Sequence, residues 1–151
     1  MNFKTWQDQK KVKLQDLIFA ESLTEPLHCE LFTRLADRMA AHEPTFTDGL
    51  AFLETGCDLI LMGHQEALFA DSDNFSEWKL SLQRLRYPNT MARDDMAREH
   101  FEKLPWPYGS KIKFERRGDR AGVELKLFIS NSTDLTKILA GLERVQQELL
   151  K

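Results

Sequence analysis

The sequence is poor in cysteine, proline and glycine, and it lacks a hydrophobic run long enough to cross a membrane. Of its 151 residues, two are cysteine, five are proline and seven are glycine. A bilayer-spanning helix needs about 20 consecutive apolar residues, and the polar segment from Met1 to Lys13 has no apolar signal-peptide core. Cys29 and Cys57 are too few for a disulfide framework. We therefore expect a cytoplasmic protein that is neither secreted nor inserted in a membrane.

The charge is unevenly distributed along a composition that is otherwise typical of a globular protein. Hydrophobic residues make up 42% and charged residues 30%, and the net charge of −3 argues against a nucleic-acid binder along its whole length. Residues 1–104 carry 12 basic and 18 acidic side chains, a net charge of −6, whereas residues 105–151 carry 9 and 6, a net charge of +3. Between them, two prolines flank Trp106, and proline stops a helix. This predicts a helical unit over 1–104 and a second unit over 105–151.

The first unit is predicted to be a bundle of about five helices. Phe3, Trp6, Leu14, Leu17 and Ile18 lie near one face of a first helix. Leucines at spacing four follow the helix start at Thr24-Glu25-Pro26. Capping patterns at Thr45 and Asn74 open two more helices, and Asn89 or Thr90 opens the fifth.

The second unit changes to the period of a β-hairpin and ends in an amphipathic helix. Apolar and polar residues alternate over 111–116 and again over 123–129, separated by the turn Gly118–Gly122. In the last helix, Leu135, Ile138, Leu142, Val145 and Leu149 follow the a/d spacing of a coiled-coil stripe. The expected fold class is thus α+β, a helical bundle followed by a ββα unit. Because such a unit is small for an independent core, either the N-terminal helices or a second copy must cover it, and the stripe favours a second copy.

Residues 109–142 resemble the C-terminal dimerisation domain of ParB-type partition proteins. The similarity lies in Gly109-Ser110-Lys111-Ile112-Lys113-Phe114, the strand Val123–Phe128 and the helix that begins Ser132-Thr133-Asp134-Leu135. The resemblance implies that two copies pair their hairpins into one sheet and pack their helices together. In some members of the family, lysines on the exposed sheet face bind DNA without sequence preference. ParB proteins also carry a CTP-binding domain and a helix-turn-helix module, and neither pattern occurs in this sequence, so only dimerisation and DNA contact carry over.

Two sets of candidate site residues follow. Alternation places Lys111, Lys113, Arg117 and Lys126 on the polar hairpin face, with Arg116 and Arg120 at or near the turn. The predicted DNA contacts are therefore Lys111, Lys113, Arg116, Arg117, Arg120 and Lys126, for which the alternative is a solvated face with pairs of opposite charge. The predicted dimer interface consists of Ile112, Phe114, Leu125, Leu127, Leu135, Ile138, Leu142, Val145 and Leu149.

Metal and catalytic sites are not predicted. His28-Cys29 and Cys57 with His64 include zinc-ligand types but lack the usual spacings, and buried helical cysteines commonly act as small hydrophobic residues. Glu54 and Asp58 beside Cys57 would raise the pKa of its thiol, which opposes a Cys-His dyad. We therefore expect a non-enzymatic dimer that needs no cofactor and contacts duplex DNA, with an acidic helical unit that recruits an unknown protein partner. The alternative is a dimeric protein-interaction adaptor without nucleic-acid binding.

Overall fold

The computed structural model describes residues 1–151 and confirms the α+β class. Five α-helices precede an antiparallel hairpin, and a sixth helix follows it. The elements are α1 (Phe3–Lys10), a 3-10 segment (Leu14–Ser22), α2 (Pro26–Ala40), α3 (Phe46–Leu61), a second 3-10 segment (Glu66–Phe69), α4 (Phe75–Arg86), α5 (Pro88–Glu102), β1 (Lys111–Arg117), β2 (Arg120–Lys126) and α6 (Ser132–Leu149). None of the helices combines the length and apolar character that a membrane span requires.

The chain divides into two compact units, Met1–Pro88 and Asn89–Lys151, so the division comes earlier than the predicted one after residue 104. Helix α5 groups with the hairpin because Asp94 pairs with Arg116 of β1 and the Phe101 ring lies 6.4 Å from that of Phe114. The segment around Trp106 consequently lies inside the second unit, where its indole N–H donates to the Phe101 carbonyl at 2.7 Å.

The first unit has a well-formed apolar core that involves every one of its helical elements. Sixteen buried residues form one cluster, including Leu31, Leu35 and Met39 of the predicted α2 stripe. Two fully buried tryptophans are held by hydrogen bonds from their indole N–H groups. Trp6 donates to the Pro44 carbonyl at 3.0 Å, and Trp78 donates to the Leu68 carbonyl at 2.5 Å. Buried indoles normally need such a partner, so these bonds fix both rings in the core.

The first predicted helix is interrupted. Helix α1 ends at Lys10 because Lys11 adopts the left-handed conformation, with φ of 56°, and its N–H caps the helix. The chain resumes as a 3-10 segment at Leu14, where Leu14 and Ile18 are exposed rather than on the buried face of one long helix. Lys10 and Lys13 interrupt the apolar pattern of the sequence at this break.

The helix starts predicted at Thr45 and Asn74 are confirmed, whereas α5 begins at Pro88, so Asn89 and Thr90 lie inside that helix rather than capping it. The side chain of Thr45 accepts a hydrogen bond from the Asp48 N–H at 3.2 Å, and that of Asn74 accepts one from the Glu77 N–H at 3.1 Å. In the second unit, Asn131 caps α6 in the same way by accepting from the Asp134 N–H at 2.9 Å. These caps satisfy backbone donors that a helix N-terminus leaves unpaired.

The backbone of α3 approaches the Trp6 ring closely at Gly49, and substitution of this glycine tests the packing of the core. A Cβ at Gly49 would lie 2.3 Å from the Trp6 ring, which the bond to Pro44 holds in place. We expect Gly49→Ala to destabilise the first unit, because overpacking costs about 1–3 kcal/mol and a better helix propensity returns at most about 1 kcal/mol. Thermal unfolding followed by far-UV circular dichroism measures the effect.

The control is Gly122→Ala, because a Cβ there meets no atom within 4 Å and Gly122 has no positive φ. We expect this variant to unfold at the wild-type temperature. A Gly49→Ala protein as stable as the wild type would show that Trp6 does not pack against α3 as described.

Candidate nucleic-acid and dimer interface

The hairpin of the second unit has a short, regular turn that fixes its register. Lys111 lies opposite Lys126, Phe114 opposite Val123, and Arg117 opposite Arg120. Only Gly118 and Asp119 connect the strands, and Gly118 has a φ of 64°. Glycine at the first of two turn residues is typical of the type II′ hairpin turn, whose twist matches that of the strands. The turn is shorter than predicted, so Arg120 belongs to β2.

Strand alternation separates the hairpin into a basic face and an apolar face. Five predicted DNA contacts share the basic face, which we define as the side formed by Lys111, Lys113, Glu115, Arg117, Arg120, Gly122, Glu124 and Lys126. The opposite face carries Ile112, Phe114, Val123 and Leu125, all partly buried. The basic face holds five basic and two acidic side chains, a net charge of +3.

Arg116 belongs to the apolar face, and this corrects its predicted role as a DNA contact. Its guanidinium binds both carboxylate oxygens of Asp94 on α5, with Nε 3.0 Å from Oδ1 and 2.9 Å from Oδ2, while Nη2 also donates to Oδ1. Asp94 is only 8% exposed. A bidentate pair of this kind is among the strongest side-chain hydrogen bonds, so Arg116 is committed to holding α5 on the hairpin.

The charges of this pair reinforce one another. Hydrogen bonds from Arg116 hold the pKa of Asp94 below its ordinary value, and Asp94 in turn raises the pKa of Arg116. The Arg98 guanidinium also lies 5.0 Å from the centre of the Phe114 ring. The sequence interpretation placed Asp94 at a helix beginning, where the helix dipole favours an acidic residue. The structure places it in the middle of α5.

Four cations of the basic face have no ion-pair partner. Arg117 is engaged, with Nη2 2.9 Å from Glu115 and 3.8 Å from Glu124. The remaining side chains, Lys111, Lys113, Arg120 and Lys126, are exposed and form no ion pair. Lys111 and Lys126 stand directly opposite each other, and like charges in that arrangement destabilise a hairpin. An anion bound between them would relieve this repulsion.

Helix α6 uses only part of its predicted stripe within the chain. Ile138 and Val145 are buried, and Val145 is only 3% exposed. Between them, Gly141 allows the Pro107 ring to approach, since a Cβ there would lie 2.9 Å from Pro107 Cγ. Ile138 and Val145 are thus already covered inside one copy, which removes them from the predicted dimer interface.

A second apolar row on α6 remains uncovered. We define the outer stripe as the exposed or half-buried leucines Leu135, Leu139, Leu142, Leu149 and Leu150. Leu135, Leu139 and Leu142 are spaced by four and three residues. At about 100° per residue, the centre of the stripe lies roughly 80° around the helix from the line of Ile138 and Val145. The sequence pattern missed Leu139 and Leu150.

The remaining residues of the predicted dimer interface lie in or next to the hairpin. Ile112, Phe114, Leu125 and Leu127 are only partly buried.

Both cysteine thiols lie within hydrogen-bond distance of backbone carbonyl oxygens. The Cys57 thiol is buried and lies 3.4 Å from the Phe19 carbonyl, and burial raises its pKa. The exposed Cys29 donates from Sγ to the Leu23 carbonyl at 3.2 Å. No three His, Cys, Asp or Glu side chains come together in an arrangement that could hold a metal ion.

Comparison with known proteins found no match to a family model, a curated protein or a solved structure.

The Asp94–Arg116 pair gives a prediction with a defined pH dependence. The pKa of Asp94 is lower in the folded protein than in the unfolded chain, so the pair stabilises the second unit above about pH 4. This stabilisation is lost as the pH falls through the folded-state pKa. We expect Asp94→Asn to lower the free energy of unfolding by about 1.5–3 kcal/mol at pH 7, the range for hydrogen bonds to charged groups. Urea unfolding at pH 7 and pH 3 should show the difference from the wild type shrinking at the lower pH.

Glu102→Gln on the same helix is the control, because Glu102 is exposed and forms no ion pair. It should match the wild type at both pH values. A constant difference between Asp94→Asn and the wild type from pH 7 to pH 3 would contradict an electrostatic role for Asp94.

Proposed function

We propose that this chain is a non-enzymatic homodimer that binds the phosphate backbone of DNA, without sequence preference, through the basic face of its hairpin. The observation that carries the proposal is the group of four exposed cations without ion-pair partners on one strand face, Lys111, Lys113, Arg120 and Lys126. The resemblance of residues 109–142 to the ParB dimerisation domain supports the same function.

The chemistry of the basic face favours phosphate over base recognition. Lysine acts as a point charge with no fixed donor geometry, and three of the four free cations are lysines. Side chains that read base edges are mainly Arg, Asn and Gln in bidentate geometry. Lys111 and Lys126, opposite each other across the hairpin, can each contact a phosphate of the same backbone. Such contacts position a protein on DNA but carry no sequence information.

The outer stripe supports dimerisation through α6. Its leucines expose apolar surface along much of one side of the helix, which a soluble protein normally covers. In a two-fold dimer the same stripe from each copy can serve as both halves of the interface. The second unit also needs such cover, because an isolated two-stranded sheet is only marginally stable.

The adaptor remains the second candidate, and an observation in the first unit favours it. Leu14 and Ile18 expose large apolar side chains on the 3-10 segment Leu14–Ser22. This unit carries nine basic and fourteen acidic residues, a net charge of −5. A partner helix with apolar and basic residues would complement both features. The adaptor shares the proposed dimer but binds no DNA.

Leu139→Asp tests the proposed dimer without disturbing the core. Leu139 is 53% exposed in the single chain, so the fold does not need its burial. We expect the variant to be a folded monomer, because a buried carboxylate without a partner opposes association. Sedimentation velocity measures the mass, and circular dichroism checks the fold.

Ala140→Asp is the matched control, since it adds the same charge one residue away at an exposed position outside the outer stripe. It should remain dimeric. A dimeric Leu139→Asp protein, or a wild type that is monomeric throughout, would refute the outer stripe as a dimer interface.

Removing the cross-strand lysine pair tests DNA binding. For duplex DNA, the slope of log affinity against log salt is about −0.9 per neutralised phosphate. We therefore expect Lys111→Gln with Lys126→Gln to weaken binding and make that slope shallower by about 1.8 per protomer. Fluorescence anisotropy of a labelled duplex at several salt concentrations gives both values.

Lys10→Gln with Lys13→Gln changes the net charge by the same amount in the first unit. This control should bind as the wild type does. If the Lys111 and Lys126 variant has the same affinity and salt slope as the wild type, DNA does not contact the basic face. If the wild type binds no duplex at low salt, the adaptor becomes the favoured function.

A further inference from the structure

An open cavity of about 270 Å³ lies at the end of the hairpin away from the turn. Six residues line it, Pro107, Tyr108, Phe128, Asp134, Lys137 and Ile138. Tyr108 precedes β1 by three residues and Phe128 follows β2 by two. The cavity therefore adjoins the strand ends where Lys111 and Lys126 stand opposite each other.

The two aromatic side chains of this cavity are unusually exposed. Tyr108 is fully exposed and Phe128 is 84% exposed. No aromatic pairing or cation-π contact engages either ring within the chain. Large aromatic rings usually contribute buried area, so two rings left open beside the same cavity leave their apolar area available to a ligand.

We infer that this cavity binds an unpaired nucleobase of a single-stranded nucleic acid, with Tyr108 and Phe128 providing the stacking surfaces. Lys111 and Lys126 then bind the adjacent backbone phosphates. The inference rests on the proposed function of the basic face, and it changes the preferred form of the nucleic acid from duplex to single strand. Proteins that bind single strands combine a positive groove with aromatic rings on which bases stack.

The acidic side chain in the cavity does not oppose this ligand. Asp134 accepts hydrogen bonds from the Ser130 hydroxyl at 2.5 Å and the Ser130 N–H at 3.3 Å, so its charge is already engaged at the start of α6. Lys137 lines the same cavity with the opposite charge. A base presents a neutral ring to the cavity, while its phosphates face the lysines.

The proposed dimer leaves this cavity open. Asp134, Lys137 and Ile138 share one side of α6, at spacings of three and four residues. The outer stripe centres on Leu139 and Leu142, which lie about 100° or more around the helix from the middle of that side. A second copy seated on the outer stripe would therefore not occupy the space between Tyr108 and Phe128.

The test compares a short fluorescein-labelled oligothymidylate with a labelled duplex of equal length, both titrated with the full chain and followed by anisotropy. Base stacking on one ring corresponds to roughly a 5- to 150-fold loss of affinity on substitution by alanine. We expect Tyr108→Ala and Phe128→Ala each to weaken oligothymidylate binding by a factor in this range and to leave duplex binding unchanged. Phe128→Tyr should retain the wild-type affinity, whereas Phe128→Leu should not, because stacking needs a ring.

Tyr87→Ala is the matched control, since Tyr87 is an exposed aromatic residue of the first unit. It should bind oligothymidylate as the wild type does. Equal oligothymidylate affinity in the wild type and both cavity variants would overturn the inference. Conversion of those variants to monomers would also overturn it, because the two rings would then belong to the dimer interface. Duplex binding that still depends on Lys111 and Lys126 would then leave the proposed function intact. A wild type that binds neither probe would overturn both proposals.

Discussion

The bidentate pair between Asp94 and Arg116 is the constraint on which the second unit depends. Arg116 shares a strand face with Ile112 and Phe114, so the pair fixes that face against α5. Because side chains alternate along a strand, the same pair sends Lys111 and Lys113 to the opposite face. A register shift of one residue would reverse every side chain of the strand. The cationic surface is thus defined by an interaction on the other side of the sheet.

The two units differ in how completely they bury their apolar residues. The first unit closes a core around Trp6 and Trp78, whose polar atoms are satisfied inside it. The second unit buries Ile138 and Val145 but leaves the apolar hairpin face only partly covered. Its apolar arc on α6 spans about half the helix circumference, and one chain covers only half of that arc. The remaining half is the physical basis for the proposed dimer.

Local patterns predicted the elements well and their partnerships poorly. Alternation over 111–116 and the caps at Thr45 and Asn74 depend on neighbouring residues, so they were readable from the sequence. The pairing of Asp94 with Arg116 joins residues far apart in the chain, and no local pattern indicates it. The same limit explains why α5 was assigned to the first unit. On α6, periodicity revealed an apolar helix but could not separate a buried row from the outer stripe, since both satisfy heptad spacing.

Charge links the proposed dimer to the proposed nucleic-acid contact. Each chain offers four free cations on its basic face, while its first unit carries a net charge of −5 that repels a polyanion. Four contacts alone give a modest electrostatic affinity that salt weakens rapidly. In the proposed dimer, two copies joined through α6 double the number of phosphate contacts. Once one basic face has bound, the second basic face meets the same nucleic acid at a high effective concentration. The proposed dimerisation would therefore strengthen the proposed nucleic-acid binding, because it doubles the number of cations available to one nucleic-acid molecule.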